Sequence, residues 1–535
     1  MNDFFRNRIQ RRLARHLNNW HIYGMARRVA QRIPLAKGKP VIFFKASSGI
    51  DDFSWNSAFQ VLTSWGLRLQ GVPVIFFACQ RGMSRCVLGT DRAQPARLPP
   101  CRSCVYQSRT LYTGAQVNWF GFERNPELEA AISGLDLDQL AHFAFRDIPL
   151  GALCLPALRW ILRRHNLMDD ENTRFFLREY MLSAWNVAKE FGALLERAQP
   201  QALVVFNGQF YPEATAKWVA QQRGVRVITH EVGLQPMTAF FTPGEATAYP
   251  IDIPTSFELS EAQNARLDEY LEKRFQGNFS MAGIKFWADI KGLDEAFLAK
   301  AAGFEQIVPV FTNVIFDTSQ PHANTVFKDM FAWLDLLLEV ARAWPETLFV
   351  IRAHPDETRP GKESQESVAA WVKARGAEQL PNVIFVPPHE FLSSYELIAR
   401  ARFVLIYNST IGLEASIMGA AVLCAGKARF TQYPSVFFPQ SIPAYRAMLD
   451  EFLSAEQITV PPEFRRNARR FLYYQLFRTS LPFGAFLERG ILPVNARLGA
   501  FDPQQLLPKN SPAIAAVTKG LLDDGDFLLE EGTGM

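Results

Sequence analysis

The sequence predicts an α/β protein of two domains, each a doubly wound sheet with helices on both faces, and three observations lead to this prediction. Strand-like and helix-like stretches alternate regularly over residues 304–460, which favours a parallel sheet covered on both sides. A strand–helix–strand unit at residues 41–78 marks the entry to a similar domain near the start of the chain. The 535 residues are also too many for one hydrophobic core.

The predicted organisation has five parts, which follow one another along the chain. They are a basic amphipathic helix (1–36), a first α/β domain (37–255) with a helical insertion at about 125–200, a helical hinge (256–303), a second α/β domain (304–460), and a C-terminal helix and tail (461–535). The helix that begins near Pro462 could cross back to the first domain or form a second basic surface. Beyond about Pro503 the residues are acidic and rich in glycine, so we expect them to be frayed.

The positive charge of the chain is concentrated at its beginning. The formal net charge of the whole chain is only +4. Within residues 1–33, however, Asp3 is the only acidic residue, whereas arginine stands at positions 6, 8, 11, 12, 15, 27, 28 and 32. Ile9, Leu13 and Leu17 recur at helical spacing and Trp20 follows, which predicts a basic amphipathic helix. This helix could contact an anionic membrane surface, or it could pack as a solvated helix on the first domain. Nucleic acid is not expected as a partner, because the basic stretch is brief.

The cysteines and the apolar segments give expectations about location and cofactors. No apolar run reaches the length of a transmembrane helix, and the start lacks the features of a signal peptide, so a cytoplasmic protein is expected. Cys86, Cys101 and Cys104 cluster near a Pro/Arg-rich loop, and the last two have C-x-x-C spacing. Such thiolates can hold zinc or an iron–sulfur cluster, but the sequence offers no fourth ligand nearby. Reduced structural cysteines are favoured, and no metal or cofactor is predicted.

Polar turns follow the strands of the first domain. Asp51 and Asp52 come after the strand at 41–45, where one of them could act as a catalytic base. The same carboxylates could instead favour the N-terminus of the next helix through its dipole. The turn after the strand at 202–206 carries Asn207 and Gly208.

A further polar turn, with His230 and Glu231, is predicted after the strand at 225–229. The carboxyl ends of parallel strands meet at one edge of a sheet, which is where open α/β sheets bind ligands. We therefore expect Asn207, Gly208 and His230 on the acceptor side of a site, with Glu231 as the alternative base.

Two runs in the second domain carry most of the functional signal, and the first is residues 348–357. Strand alternation predicts that Arg352 and His354 share one face, with His354 at the exit of the strand and Pro355 ending it. An imidazole in this place can bind a phosphate oxygen and stabilise charge on a departing nucleotide. The alternative is a structural His-Pro turn.

The second run, residues 403–426, reads as strand, polar turn, helix and short strand. Ser409 and Thr410 precede the helix directly, where free N–H groups and hydroxyls can bind phosphate. Either residue is also an ordinary helix cap. Glu414 lies one turn into the helix, where its carboxylate suits the ribose hydroxyls of a nucleotide.

The order of these motifs resembles the capsular polysaccharide biosynthesis glycosyltransferases, most clearly over residues 306–430. The motifs are Thr312-Asn313, Arg352-x-His354-Pro355, Asn408-Ser409-Thr410-x-Gly412-x-Glu414 and a small-residue strand that ends at Gly426. The group includes the Kdo transferases of capsule assembly and is more distantly similar to bacterial sialyltransferases and teichoic-acid glycerophosphotransferases. The resemblance implies a GT-B architecture, in which two Rossmann-like domains face each other across a cleft, the first for the acceptor and the second for the donor nucleotide.

The resemblance also implies roles for the second-domain residues. The expected donor nucleotide and phosphate contacts are Thr312, Asn313, Arg352, Ser409, Thr410 and Glu414, with His354 stabilising the departing phosphate without a metal. Bacterial sialyltransferases carry an acidic-acidic-Gly base motif, and the polar turns of the first domain offer only Gly49-Ile-Asp51-Asp52 and Glu231-Val-Gly233 in its place, so the base is either Glu231 or Asp52.

The function expected from these features is the transfer of a sugar from a nucleotide-sugar donor to a surface polysaccharide or glycolipid. CMP is one option for the activating nucleotide, and the protein is expected in the cytoplasm, with the inner face of the plasma membrane as a peripheral site. Three alternatives stay open: a CDP-polyol phosphotransferase, a sugar-nucleotide epimerase, and a non-catalytic partner in polysaccharide assembly or export.

Overall fold

The computed structural model describes residues 2–50, 52–276, 292–390, 392–492 and 494–532, with the backbone alone for residues 2–8. Asp51, which stands beside Asp52 in the predicted first turn, lies outside this described part. So do residues 277–291, the middle of the predicted hinge, which two helices flank.

The strands and helices alternate through most of the chain. The strands are β1 Val41–Phe44, β2 Val74–Cys79, β3 Gln116–Phe120, β4 Ala202–Phe206, β5 Arg226–Val232, β6 Thr238–Thr242, β7 Gln306–Phe311, β8 Thr347–Arg352, β9 Val383–Val386, β10 Val404–Ile406, β11 Val422–Cys424, β12 Leu481–Pro482, β13 Leu487–Arg489 and β14 Ala496–Leu498. The helices are α1 Asn2–Ala30, α2 Trp55–Leu69, α3 Cys101–Leu111, α4 Pro126–Ile132, α5 Leu137–Ala141, α6 Leu150–Leu162, α7 Glu171–Ala198, α8 Tyr211–Gln222, α9 Glu261–Phe275, α10 Glu295–Ala301, α11 Gln320–Ala323, α12 Met330–Ala343, α13 Val368–Arg375, α14 Ser394–Ala399, α15 Ile411–Ile417, α16 Ile442–Ser454, α17 Pro462–Tyr473 and α18 Pro512–Leu522.

The first sheet has the strand order β12-β6-β5-β4-β1-β2-β3. Its strands from β5 to β3 pair in parallel, and β6 and β12 complete one edge in antiparallel pairing. Alternate residues of β1 enter two separate cores, Val41 and Phe43 on one face and Ile42 and Phe44 on the other. Helices therefore cover both faces of this sheet, as its continuous apolar strands predict.

The second sheet is entirely parallel, with the strand order β11-β10-β7-β8-β9. Chain order reverses between β7 and β10, and in the first sheet it reverses between β1 and β4. The carboxyl ends of strands at such a reversal form the crevice in which open α/β sheets bind ligands. The predicted fold class, α/β with two doubly wound sheets, is confirmed. Helices α4 to α7 occupy the stretch predicted as a helical insertion.

The C-terminal segment returns to the first domain. Helix α17 packs on α15 of the second domain, and β12 then pairs with β6 of the first sheet. Ile514, Val517 and Leu521 of α18 are buried in the first-domain core. The expectation that the chain frays beyond Pro503 is wrong, because these apolar residues recur at helical spacing and the acidic, glycine-rich composition begins only after α18.

None of the helices in the described part has both the length and the apolar character that crossing a bilayer requires.

Candidate functional site

A cavity of about 690 Å³ lies between the two domains, at the carboxyl edge of the second sheet. The second domain contributes the residues that follow its central strands: Asn313 after β7, His354 after β8, and Asn408, Ser409 and Thr410 after β10. The first domain contributes Trp160 of α6 and residues 244–250, which follow β6. The cavity thus occupies the reversal between β7 and β10.

His354 is a hydrogen-bond donor into this cavity. Its Nδ1 accepts from the N–H of Asp356 at 3.1 Å and caps the short 3₁₀ turn Pro355–Thr358, so the neutral imidazole carries its proton on Nε2. Burial lowers the pKa of His354, and the carboxylates of Asp356 and Asp317 oppose that effect. A neutral N–H donor in this position suits a phosphate oxygen.

The side chains of Asn313 and Thr410 leave polar atoms available in the cavity. The buried Oδ1 of Asn313 has no hydrogen-bond partner among the described residues. Thr410 directly precedes α15, and its hydroxyl makes no capping hydrogen bond. Buried polar atoms are nearly always paired, so an unpaired amide oxygen in a cavity wall favours a polar ligand.

Lys427 and Arg429 bring positive charge to the cavity, and neither forms an ion pair within the described part of the chain. The guanidinium of Arg429 lies 4.2 Å from the ring centre of Tyr249, which is a cation–π contact across the two domains. Lys362 also lines the cavity, and burial lowers its pKa. These charges complement an anionic ligand.

Sequence reasoning missed these cations, although Lys427 and Arg429 follow Gly426 at the end of the small-residue strand. The carboxyl end of β11 was the available signal, because it meets the same sheet edge as β10. Lys362 stands in an irregular segment, and nothing local in the sequence marks it.

Thr312 and Arg352, both predicted as donor contacts, lie outside the cavity lining. The Thr312 hydroxyl donates to the Arg352 carbonyl at 2.9 Å, and the Arg352 guanidinium donates to the carbonyl of Leu392. Burial lowers the pKa of Arg352 to about 10. The two-residue alternation that placed Arg352 beside His354 does not hold, because β8 ends at Arg352 and the backbone turns before His354.

Glu414 also lies outside the cavity lining, and both of its carboxylate oxygens are engaged elsewhere. Oε1 accepts from Arg274 at 2.6 Å, and Oε2 accepts from the Tyr395 hydroxyl. Burial is the largest single influence and lowers the pKa of Arg274, but the Glu414 carboxylate together with Tyr270 and Tyr395 raises it further, so the pKa of Arg274 is raised overall. A buried carboxylate requires a cation, and α9 supplies one, so the ion pair with Arg274 gives Glu414 a structural role while its ribose contact stays a prediction.

Glu231 is a first-domain carboxylate that lies outside the cavity lining but interacts electrostatically with residues of the cavity wall. Its Oε1 accepts from Asn207 Nδ2 at 2.6 Å, and its Oε2 accepts from the Val232 N–H at 3.1 Å. Burial raises the pKa of Glu231, and these two hydrogen bonds oppose the rise. Asp317 and Lys362, both in the cavity wall, also act on this carboxyl group.

Asn207 and Gly208 form the turn that orients Glu231. Their φ angles are 59° and 79°, and a Cβ on Gly208 would stand 3.2 Å from the Thr229 side chain. Asn207 is buried and lies outside the cavity lining, so it positions Glu231 instead of meeting an acceptor. The left-handed backbone explains why this turn needs an asparagine and a glycine.

His230 faces the core of the first domain, which corrects its prediction as an acceptor contact. Strand β5 continues to Val232 and pairs with β6, so His230 and Glu231 point to opposite faces. The imidazole stacks on Phe241 and lies 2.9 Å from the Gln60 amide nitrogen. Burial lowers its pKa to about 3, so it stays neutral.

Asp52 stands apart from the cavity, beside the N-terminal helix. Its carboxylate forms an ion pair with Arg15 of α1 at 3.6 Å. Burial raises its pKa, and Arg15 opposes that rise. Of the two predicted bases, the geometry therefore favours Glu231.

A second hydrogen-bond network joins the domains at the cavity. His322 Nε2 lies 2.9 Å from the Thr247 hydroxyl and 3.3 Å from the Gln209 amide nitrogen. Gln209 donates to Glu245 at 3.0 Å, and Lys217 pairs with the same carboxylate at 2.5 Å. These residues close one side of the cavity and engage the Glu245 charge.

The structure gathers four thiols where the sequence indicated three, because Cys79 joins Cys86, Cys101 and Cys104 around a small pocket. Burial raises the pKa of each of them, that of Cys86 to about 12. Over the residues that the structure describes, no three His, Cys, Asp or Glu side chains are arranged to hold a metal ion.

No protein-family model matches this chain. A stretch of 234 residues, 42% of the chain, is 25% identical to Protein FixF of Sinorhizobium fredii (strain NBRC 101917 / NGR234) and covers 48% of it, so the match spans about half the length of that relative.

Capsule Kdo transferases, the group that the motifs resemble, are among the solved structures to which this chain is similar. The similarity to the beta Kdo 2,7 transferase KpsC of Thermosulfurimonas dismutans has 14% identity and a TM-score of 0.31, over 55% of this chain and 81% of that one. The beta Kdo 2,4 transferase KpsC of the same organism is 12% identical with a TM-score of 0.36, over 52% of this chain and 80% of that one. A UDP-GlcNAc 2-epimerase from Neisseria meningitidis is similar over 82% of this chain and 99% of its own, with 12% identity and a TM-score of 0.23.

Proposed function

We propose that this protein is a glycosyltransferase of the GT-B type, which moves a sugar from a nucleotide-sugar donor to an acceptor hydroxyl. One observation carries the proposal: the interdomain cavity gathers donors and cations for a phosphate on the second domain, and Asp317 and Lys362 of its wall act electrostatically on the Glu231 carboxyl of the first domain, which lies outside the lining. The proposed donor contacts are His354, Asn313, Ser409, Thr410, Lys427 and Arg429.

The charges in the cavity support an anionic donor. Glu245 is paired with Lys217, and Asp356 lies 3.7 Å from Arg359, so two of the three acidic side chains of the wall have their own cations, while the third, Asp317, accepts hydrogen bonds from Ser319. Lys427 and Arg429 have no such partner among the described residues. A nucleotide phosphate would supply the negative charge that they lack.

The proposed reaction begins with the acceptor hydroxyl, which attacks the anomeric carbon while Glu231 removes its proton. The bond between that carbon and the phosphate oxygen breaks, and its electron pair leaves with the nucleotide. His354 Nε2–H, Lys427 and Arg429 then stabilise the charge on the phosphate. We propose that no metal is needed for this step, because these groups supply the required positive charge.

A buried carboxyl group with a raised pKa is suited to the role of the base. The rise brings the pKa of Glu231 nearer to neutral pH, where a general base is most effective. The hydrogen bond from Asn207 fixes the orientation of the carboxylate.

The finer identity of the substrates is also a proposal. The resemblance of the motifs supports a surface polysaccharide or glycolipid as acceptor, and a CMP-activated sugar as one donor. Such an acceptor places the enzyme in the cytoplasm, at the inner face of the plasma membrane. A sugar-nucleotide epimerase would use a similar cavity but would need no acceptor.

Thermal unfolding with CMP, CDP, UDP and GDP tests the donor site. One of these nucleotides should stabilise the protein, by about 2.7 kcal/mol at a hundred times its Kd. Lys427→Ala/Arg429→Ala should weaken that stabilisation. Lys373→Ala, on an exposed position of α13, is the matched control and should leave it unchanged. Absence of stabilisation by all four nucleotides would contradict the proposal.

A further inference from the structure

Helix α1 exposes an apolar stripe on the side that faces away from the protein. Ile9, Leu13, Leu17 and Trp20 are 65%, 59%, 62% and 80% exposed. Their spacing of four, four and three residues places them on one face of an α-helix. Tyr23 extends this stripe by another turn and is 43% exposed.

A different set of residues attaches α1 to the first domain. Ile22, Met25, Ala26 and Val29 are buried in the first-domain core. Packing of the helix on the domain therefore does not account for the exposed stripe. Packing on the first domain, one of the two interpretations of the sequence, thus describes this buried set of residues and leaves the stripe exposed.

Polar contacts hold the middle of α1 in a fixed place. Asn18 donates to the carbonyl of Ala496 and accepts from the N–H of Leu498. Asn19 and Gln107 exchange two hydrogen bonds, at 2.6 and 2.7 Å. The stripe is therefore part of the surface of the folded domain, and a partner would not have to order it.

The charge around the stripe is mainly positive, since Asp52 and Asp502 pair only with Arg15, Arg28 and Arg32. No acidic residue stands between Asp3 and Asp51 in the sequence. Arg12 and Arg27 are exposed on or beside the face that carries the stripe, and among the described residues neither has a carboxylate partner. Apolar side chains flanked by arginines on one helix are typical of segments that lie in the interface of an anionic bilayer.

We propose that α1 docks this protein on an anionic lipid bilayer, with the helix axis parallel to the membrane plane. The stripe would enter the boundary between headgroups and acyl chains, and the exposed arginines would meet lipid phosphates. The charge complementarity selects a lipid surface over a second copy of the chain, whose corresponding face would carry the same arginines. This surface is separate from the interdomain cavity, so the proposal is independent of the proposed reaction.

Sedimentation with phosphatidylcholine vesicles, with and without phosphatidylglycerol, tests the proposal on the full chain. The wild type should bind the anionic vesicles, and 0.5 M salt should weaken that binding because it screens the arginines. Leu13→Glu/Leu17→Glu should reduce binding by about tenfold or more, since it places carboxylates in the stripe. Arg12→Gln/Arg27→Gln should reduce the preference for anionic vesicles, because both arginines lie on or beside the face of the stripe.

Two matched variants serve as controls, one for the carboxylates added to the stripe and one for the removed arginine charges. Met168→Glu/Ile442→Glu places two carboxylates at other exposed apolar positions, which are 55% and 43% exposed. Lys373→Gln/Arg400→Gln removes two exposed cations of the second domain. Both should bind vesicles as the wild type does, and all variants should retain the wild-type thermal unfolding.

Three results would overturn the proposal. They are absence of wild-type binding to anionic vesicles, equal loss of binding in the stripe variant and its matched control, and a wild-type dimer that the stripe variant converts to a monomer without any lipid binding.

Discussion

The replacement Glu414→Gln separates a structural role for this residue from the nucleotide contact that the sequence indicated. The side chains of Glu414 and Arg274 are only 5% and 8% exposed, so solvent screens their ion pair weakly. The variant keeps the size of the side chain and an acceptor for the Tyr395 hydroxyl but leaves the Arg274 charge buried without its carboxylate. Removing one partner of a buried pair costs about 3–5 kcal/mol.

We expect a loss of about 3 kcal/mol, the lower end of that range, because the amide still accepts a hydrogen bond. With a urea dependence of about 2–3 kcal/mol per molar, the unfolding midpoint of the second domain should fall by about 1 M or more. Circular dichroism during urea unfolding measures this shift. Glu339→Gln, at an exposed position of α12, should shift the free energy of unfolding by less than about 0.5 kcal/mol.

The double variant Arg274→Met/Glu414→Gln should recover part of the lost stability, because it removes the buried Arg274 charge as well. Nucleotide affinity should stay within about twofold of the wild type in the single variant, since Glu414 lies outside the cavity lining. An unchanged urea midpoint together with a tenfold loss of nucleotide affinity would refute this reasoning and restore the ribose contact.

Three further predictions concern single residues. His354→Ala should reduce turnover by about a hundredfold or more with unchanged thermal unfolding, because it removes a donor to the departing phosphate; near-wild-type turnover would remove that role. Glu231→Gln should also reduce turnover by about a hundredfold. In the wild type, kcat/KM should rise with pH as Glu231 loses its proton at its raised pKa. A pH profile of kcat/KM without this rise would exclude Glu231 as the base. Burial raises the pKa of Glu357 to about 8. Between pH 4.5 and 8 the folded state therefore holds a proton that the unfolded state has released. The stability that this protonated carboxyl group contributes is complete below pH 4.5 and is lost as the pH rises to 8. Glu357→Gln should flatten that slope, which is at most about 1.4 kcal/mol per pH unit, and equal slopes in urea unfolding at pH 5, 6, 7 and 8 would contradict it.

The features that the sequence predicted well depend on local patterns. His354, Ser409 and Thr410 stand directly after apolar strands, and strand ends of a parallel sheet meet at one edge whatever the rest of the chain does. The alternation of strands and helices is also a local pattern, and it predicted both sheets. Those three residues and Asn313 indeed share one cavity.

The features that the sequence missed depend on distant partners or on the exact end of a strand. The environment of Glu414 is set by Arg274, which is 140 residues away in sequence. His230 faces the core because β5 extends to Val232 and pairs with β6, and this extension is a tertiary effect. The packing of α18 on the first domain likewise requires the chain to return from the second domain.

The central claim is that the interdomain cavity transfers a sugar with Glu231 as the base, and acceptor-dependent release of nucleotide tests it most directly. A panel of nucleotide sugars is incubated with and without an oligosaccharide acceptor, and free nucleotide and the sugar products are quantified by mass spectrometry. The wild type should release nucleotide and extend the acceptor only when both substrates are present. Glu231→Gln should bind the nucleotide but release little of it. Conversion of a nucleotide sugar to its epimer without an acceptor, or equal release by the variant, would contradict the claim.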